Sequence, residues 1–370
     1  MPSSPSFWNK RRVLVTGHTG FKGSWLSLSL QMLGAEVVGY ALAPPTQPNH
    51  FFVADVGCGM TSLLGDIRNA DALSAVFARY RPEVVFHLAA QALVLPAYDD
   101  PATTYSTNVM GTVNLLEAVR RQADVRAVLV VTSDKCYADG AAARPCREDD
   151  RLGGKDPYSS SKACAELVCA AYRASYFAGG TAGEPPTALA TARAGNAIGG
   201  GDWSANRLIP DALRAFSENR PLAVRHPAAV RPWQHVLDAL AGYLVLAEGL
   251  YARGGKLAAA WNFGPAEAAT HSVADVLHEL VRLWGGAAAW TTDARPSRHE
   301  AAVLRLDATK AIGQLGWHPR WSLGEALAMT VEWSRAYEEG RDMAAVSRQQ
   351  IARHGLVSDN PIQIAPVSLQ

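Results

Sequence analysis

The sequence predicts an α/β protein built on a doubly wound parallel sheet, with a smaller, mixed α/β C-terminal portion. Three observations carry this expectation. The apolar run Val13-Leu14-Val15 enters a G-x-x-G-x-x-G turn made by Gly17, Gly20 and Gly23. Strand-like and helix-like segments then alternate as far as residue 193. Beyond it, helices are separated by loops rich in Gly, Trp, Arg and Asn.

Residues 13–17 read as a buried strand, 24–33 as a helix and 36–42 as a second strand. Together they form a β-α-β unit of about 30 residues. Its glycines allow a tight turn and let backbone approach a pyrophosphate at a helix N-terminus, so a Rossmann-type dinucleotide site is expected here. The second strand ends Gly39-Tyr40-Ala41-Leu42, with neither an acid for ribose hydroxyls nor an Arg for a 2′-phosphate. These residues leave NAD and NADP both open. Residues 62–68 read as a third strand ending in an acid. Asp66 either accepts from an adenine amino group or N-caps the helix at 70–80. The fourth strand, 83–90, is nearly all apolar, as a strand covered on both faces should be. His87 within it reads as a core histidine, and Ala89 and Ala90 are small enough to let a cofactor pass.

A long helix is expected at 100–122, with an apolar stripe at Val109, Val113, Leu116 and Val119. A strand at 127–131 and a helix from Tyr158 follow, and after a Gly/Pro-rich loop one more strand, 188–193. Gly17, Ala89 and Thr132 all fall at the carboxyl ends of strands, where ligands of such sheets bind. Further on come a helix opening at 206–210, another at 236–252, a short strand and turn at 261–264, and helices near 273–284 and 322–339. The last two frame Arg295–His299 and a strand at 303–306. The expected division is a dinucleotide-binding domain at 1–193, with returns near 232–264. A second ligand domain takes 194–231 and 265–340, and a C-terminal extension takes 341–370. Arg, Trp, Asn and His on the later loops suit a nucleoside diphosphate.

Composition narrows the partners. The net charge is +1 over 370 residues, which supports neither a nucleic-acid nor a membrane-surface partner. No apolar run approaches the ~18 residues of a membrane span. Residues 1–12 lack the apolar core of a signal peptide. Five scattered cysteines without paired spacing argue against a disulfide framework or a metal site. A soluble, cytoplasmic protein is expected.

The chemistry concentrates between Thr132 and Lys162. Ser133-Asp134-Lys135 sets a hydroxyl, a carboxylate and an amine at the mouth of a strand. Tyr158 and Lys162 stand at i, i+4, one turn apart on a helix face. With only seven Lys against 28 Arg, chance matches to Lys-containing motifs are few. A neighbouring ammonium and a nicotinamide cation would favour the Tyr158 phenolate, which could then take a proton from a sugar hydroxyl as hydride leaves. A simple alcohol oxidation needs no Asp134-Lys135. The pair is either a plain ion pair or the acid and base of a second step, since oxidation at C4 acidifies the C5 proton.

The strings VLVTGHTGFKGSWLSL (13–28), GDIR (65–68), VVFHLAAQ (84–91), VTSDKCY (131–137), DPYSSSKACAEL (156–167) and RPWQHV (231–236) resemble the extended short-chain dehydrogenase/reductase family. The similarity runs nearly the whole length. Within that family the likeness is to enzymes that dehydrate a nucleotide-bound hexose, and it implies CDP-D-glucose as substrate and tightly held NAD as cofactor. It implies that Tyr158 deprotonates the C4 hydroxyl beside Ser133 while C4 hydride goes to NAD. Lys135 then takes the C5 proton, Asp134 assists loss of the C6 hydroxyl as water, and hydride returns to C6. It implies NAD contacts from Gly17, Thr19, Gly20, Phe21, Lys22, Gly23, Asp66, Ile67, Leu88, Ala89, Ala90, Asn108, Thr132, Tyr158 and Lys162. Substrate contacts would come from Asn196, Arg207, Arg231 and His299. It further implies a role in making deoxysugars of bacterial surface polysaccharides, and a homodimer or homotetramer assembled through helices 100–122 and 158–177. The chain departs from the family pattern at Leu95, where Arg is usual, and in the alanine-rich stretch 138–144. A nucleotide-sugar epimerase on the same fold, needing no Asp-Lys pair, and a non-catalytic dinucleotide-binding sensor are the competing readings.

Overall fold

A computed structural model of the chain describes residues 5–138, 144–178, 186–265, 271–293 and 303–357. Its centre is a seven-stranded sheet: β1 (Arg12–Thr16), β2 (Glu36–Ala41), β3 (Thr61–Leu64), β4 (Val84–His87), β5 (Ala127–Val131), β6 (Ala188–Ala194) and β7 (Ala260–Phe263). Their spatial order is β7-β6-β5-β4-β1-β2-β3, and every pairing is parallel. The order reverses between β1 and β4. That is the topological switch point where ligands of open α/β sheets bind.

Both faces of the sheet are covered, and period-two alternation sorts the side chains. Val13, Val15, Val84, Phe86, Ala127 and Leu129 face one core, with Trp25, Leu26 and Leu30 from helix α1 (Phe21–Met32). Leu14, Val85, Val128 and Val130 face the other. There they meet Phe77 from α2 (Ala70–Tyr80), Leu115, Leu116 and Val119 from α3 (Gly111–Arg120), and Cys169 from α4 (Pro157–Ser175). A third core lies after β6. It joins α5 (Leu208–Ser217), α7 (Val273–Trp284) and α8 (Leu323–Glu338) through Ile209, Phe216, Val276, Leu280 and Leu327. Helix α6 (Val236–Arg253) belongs to the first core, so the chain returns to the sheet before β7 completes it. Helix α9 (Met343–His354) packs back on the N-terminal unit. Ser347 Oγ lies 3.2 Å from His50 Nε2 and accepts from Trp333 Nε1, and His354 Nε2 lies 2.9 Å from the Asp238 carboxylate.

Three expectations change. The helix at 100–122 is not uniform: Pro101–Tyr105 is followed by a π turn at Ser106–Met110 before α3, and a short helix, Val94–Asp99, precedes it. The wider turn holds Asn108, whose side chain is bonded on both sides as described below. Residues 303–306 form no strand. Val303 bridges to Val230 and Leu306 to Cys146, two different partners, so no ladder builds. The helix at 70–80 is capped by Asn69, which accepts from Ala72 N, and not by Asp66. Arg295–His299, and residues 139–143 of the alanine-rich stretch, lie outside the described residues. Among the described residues no helix is long and apolar enough to cross a membrane, and no cluster of His, Cys, Asp or Glu could hold a metal ion.

The first turn of α1 is as tight as backbone allows. A Cβ at Gly23 would lie 2.0 Å from Gly17 O. Gly23→Ala is therefore expected to destabilise the protein by about 1–3 kcal/mol and to weaken dinucleotide binding. Thermal unfolding and a binding titration check this; wild-type values in both would refute the packing argument.

Candidate active site

Gly17 ends β1 with φ +76°, and a Cβ there would sit 2.6 Å from Ala89 N at the end of β4. Only glycine allows the two strand ends to meet so closely. Helix α1 starts directly after, from Gly20, with no side-chain cap and no acid in its first turn. Its free amides and uncompensated positive end therefore face the switch point, and a Cβ on Gly20 would meet nothing nearer than 3.4 Å. This bare cradle fits a dinucleotide pyrophosphate. Beside it, Thr19 Oγ1 donates to Leu42 O, and the His18 ring fills the space left by Gly39. No carboxylate stands at the end of β2.

Asp66 follows β3 and makes a bidentate pair with Arg68 Nε and Nη2 that holds its carboxyl below the usual range. Ile67 is buried against Gly111. Leu88 and Ala89 lead away from β4, with Leu88 N bonded to Thr16 O. His87 lies buried between Thr16 Oγ1 and Thr112 Oγ1, and burial lowers its pKa to about 3, so it is a neutral core histidine. Asn108 has both amide hydrogens engaged: Nδ2 donates to Gln91 O and Ser161 Oγ, and Oδ1 accepts from Gln91 N. It ties the loop after β4 to the helix that carries Tyr158 and Lys162.

Ser133 follows β5 and Thr132, and caps a short 3-10 turn, Asp134–Cys136. Its Oγ accepts from Lys135 N and donates to Asp134 Oδ1 at 2.9 Å. Asp134 is buried, its Oδ2 has no hydrogen-bond partner among the described residues, and burial pushes its carboxyl pKa up. No contact within 4 Å pairs it with Lys135, whose charge is nevertheless the first of those that hold the carboxyl down; Lys135 is half-buried. Helix α4 begins at Pro157, N-capped by Asp156 on Ser159 N, which places Tyr158 and Lys162 in its first two turns. Lys162 Nζ donates to Val131 O at 3.2 Å. Burial lowers its pKa to about 8 and pushes the Tyr158 phenol up to about 12; Ser133 and Arg207 oppose the latter shift.

A cavity of about 900 Å³ brings the groups together. Ser133, Asp134, Lys135, Tyr158, Asn196, Arg207 and Arg231 all line it, and so does Lys22. Lys22 is assigned from sequence to the cofactor alone. Its ammonium is lowered to about 8 by burial and by Arg207 and Lys162, and is raised by Asp134, so it stands in the field of the candidate acid. Arg207 Nη1 pairs with Asp202 Oδ2 at 2.8 Å, and buried Arg231 pulls the Asp134 pKa down. Asn196 borders the cavity while its carbonyl accepts from Gln234 N. His299 lies outside the described residues. Leu93, Val94 and Leu95 form an apolar wall, and Trp203, Arg214 and Arg225 line the far end. Sequence reasoning names none of these last three as ligand contacts; the loop density of Arg and Trp was the only signal.

A parallel sheet with a bare glycine cradle at its switch point and a Ser/Tyr/Lys set over the adjacent strand defines a dinucleotide-dependent enzyme of Rossmann type. The NAD dependent epimerase/dehydratase family matches residues 13–258. The chain belongs to this family. It is 49% identical over 347 residues to the CDP-glucose 4,6-dehydratase of Salmonella typhimurium, covering 94% of this chain and 97% of that one. Its fold matches the UDP-glucose 4-epimerase of Stenotrophomonas maltophila with bound NAD, with TM-score 0.77, 22% identity, and 89% and 99% of the two chains covered. It also matches dTDP-glucose 4,6-dehydratase of Bacillus anthracis in complex with NAD, with TM-score 0.72, 23% identity, and 90% and 99% covered. As in the family it belongs to, its cofactor is NAD.

The Asp134 shift has a sign that can be checked. A carboxyl whose folded pKa is raised favours the fold below its unfolded pKa, and that contribution is lost as pH rises through the folded pKa. Asp134→Asn is therefore expected to raise the thermal midpoint at about pH 7, with the gain disappearing toward about pH 3. Melting curves across that window read it; a lower midpoint at neutral pH would refute the burial argument.

Proposed function

We propose that the chain is an NAD-dependent nucleotide-sugar 4,6-dehydratase, a hydro-lyase, acting on CDP-D-glucose to give CDP-4-dehydro-6-deoxy-D-glucose. The carrying observation is the Asp134-Lys135 pair in one cavity with Ser133 and Tyr158. Oxidation alone would leave both without a task. The relative at 49% identity supports the cytidine nucleotide. The cradle at Gly17–Gly23 would hold the cofactor, with Lys162 over its nicotinamide ribose. When bound, NAD supplies the hydride acceptor and later the donor, and a cationic ring beside the phenol.

Tyr158, whose phenol is raised by burial and held down by Ser133 and Arg207, would be lowered further by that cationic ring and would take the C4 hydroxyl proton, while Ser133 holds the C4 oxygen. The C4 ketone acidifies the neighbouring C5–H, and the Lys135 amine takes that proton. Asp134, held protonated by its burial, gives a proton to the departing C6 hydroxyl, which leaves as water. C6 would receive hydride back from the reduced cofactor, and Lys135 stands to reprotonate C5. Arg207, Arg231 and Asn196 would face the diphosphate and nucleoside. His299 is proposed beside them from the resemblance alone.

We further propose a cytoplasmic enzyme that pairs through the helices at 101–120 and 157–175. Tyr105, Met110 and Leu167 are exposed there, as an apolar contact between two copies would need.

Incubation with CDP-glucose in D₂O tests the reading. The product is expected to have lost one water and to carry deuterium at C5. Retained water with inverted stereochemistry would mean an epimerase, and bound NAD without turnover a sensor. Lys135→Ala is expected to lower product formation by about 10²–10⁴-fold while bound nicotinamide is still reduced by substrate. Unchanged turnover would remove Lys135 from the mechanism.

A further inference from the structure

One turn beyond Lys162 on α4 stands Glu166, an ionisable side chain that the reaction does not use. It is buried, as is Arg193 on β6, and the two form an ion pair at 2.8 Å with 1% and 3% of their side chains exposed. A pair so deep is a poor source of stability unless its remaining atoms are satisfied. Here Arg193 Nε has no hydrogen-bond partner among the described residues, and the other atoms bond the two ends of one segment and two groups beside it. Glu166 Oε1 accepts from Thr132 Oγ1 at 2.5 Å, and Oε2 accepts from Thr191 Oγ1 at 2.7 Å. Arg193 Nη1 donates to Tyr137 Oη at 2.9 Å and to Glu148 O at 3.0 Å, and its guanidinium lies 5.0 Å from the Tyr137 ring centroid. Tyr137 Oη donates onward to Asn262 Oδ1 on β7.

Thr132 and Tyr137 are the two ends of the segment whose middle is Ser133-Asp134-Lys135. One ion pair thus grips both ends, the first through Glu166 and the second through Arg193. Other anchors hold the backbone: Thr132 N bonds Ala192 O, Gly153 N donates to Cys136 O, Tyr137 bridges to Leu152, and Cys136 is buried with Cys146 and Ala163; the side chains of the middle three residues have fewer ties. Ser133 and Asp134 bond each other, and Cys136 N bonds back to Ser133 O within the same turn. We propose that Glu166 and Arg193 are positioning residues that fix the Asp134-Lys135 turn against Tyr158. The proposal rests on the dehydratase reading and adds to it two residues that touch neither substrate nor cofactor.

The electrostatics agree with the geometry. Glu166 is the first of the groups that raise the lowered Lys162 pKa. The other groups in the field are the Cys136 and Cys169 thiols, both pushed up by burial, neutral His87, and the Lys22 ammonium. Of the groups facing Lys162, Glu166 is the one anion at neutral pH. Without its charge the Lys162 ammonium is lost at lower pH, so the alkaline limb of activity moves acidward.

Two variants test this in the full-length enzyme with bound NAD. Tyr137→Phe removes one grip and leaves both charges. It is expected to lower kcat for CDP-glucose roughly tenfold with KM changed less than about twofold. Glu166→Gln is expected to lower kcat further and to move the alkaline limb of kcat down by at least half a pH unit or so. Wild-type kcat and an unmoved limb, with only a lower melting temperature, would make the pair purely structural and overturn the proposal. Should Glu166→Gln fail to fold, Tyr137→Phe decides alone, and unchanged kcat refutes. If the wild type releases no water, the dehydratase reading falls by itself; the same two variants then read the pair through the rate and pH limb of substrate-driven nicotinamide reduction.

Discussion

Two strand ends meet more closely than any side chain would allow. Gly17, leaving β1, lies against the backbone of Ala89, leaving β4, and every other feature of the site is measured from that contact. It opens the strands on either side of the reversal in strand order, and it aims the first turn of α1 across them. The same crowding repeats at Gly23, where α1 sits on the carbonyl of Gly17. The cofactor cradle is thus a packing solution before it is a binding site: side chains are excluded, and what remains is backbone with amides to spare.

The charge pattern around this cradle is lopsided. Lys22 and Lys162 are both lowered to about 8 by burial, which marks amines crowded out of water and near one another. Asp134 is shifted the other way and sits among Lys135, Lys22 and Arg231 without a direct partner on Oδ2. The wider lining carries acids as well as cations, with Asp202 paired to Arg207 and Asp211 to Arg214; the cationic character is local to Lys22, Lys135 and Arg231 around Asp134, and that cluster is suited to an anion. A nucleoside diphosphate and a dinucleotide supply that charge, and each would relieve the strain the amines place on one another. Binding and proton affinity are therefore coupled here, because the ligands change the field in which the acid and amines titrate.

Legibility followed locality. The strands β1, β4 and β5 were readable because each is a short, mostly apolar run buried in the sheet, whereas β3 is an exposed edge strand placed by its position in the alternation of strand and helix, which leaves few topologies. The Ser133-Asp134-Lys135 and Tyr158/Lys162 groups were readable because each is contiguous or one helical turn apart. The π turn around Asn108 was not, since its cause is a tertiary hydrogen-bond pattern between Gln91 and Ser161. Asp66 could be read as an adenine acceptor or as a helix cap, and Asn69, three residues on, takes the cap. The place of β7 in the sheet, and the meeting of Glu166 with Arg193, depend on partners dozens of residues away; only the stripe Tyr158, Lys162, Glu166 along one helix face hinted at the latter. The strand expected at 303–306 failed for the opposite reason, as good β-formers found no common partner.

The closing helix, α9, gives the architecture a temporal order. Ser347 bridges His50 and Trp333 over 297 residues of chain separation on one side, and His354 reaches Asp238 on the other. Trp333 in turn packs on Gly200, whose carbonyl holds the Trp25 indole of the dinucleotide helix. The seam between the first helix and the cavity rim therefore cannot be sewn shut until α9 has been synthesised. Until then the nascent sheet carries an open flank of tryptophans, and truncation near residue 340 would leave that flank exposed to whatever apolar surface it meets first.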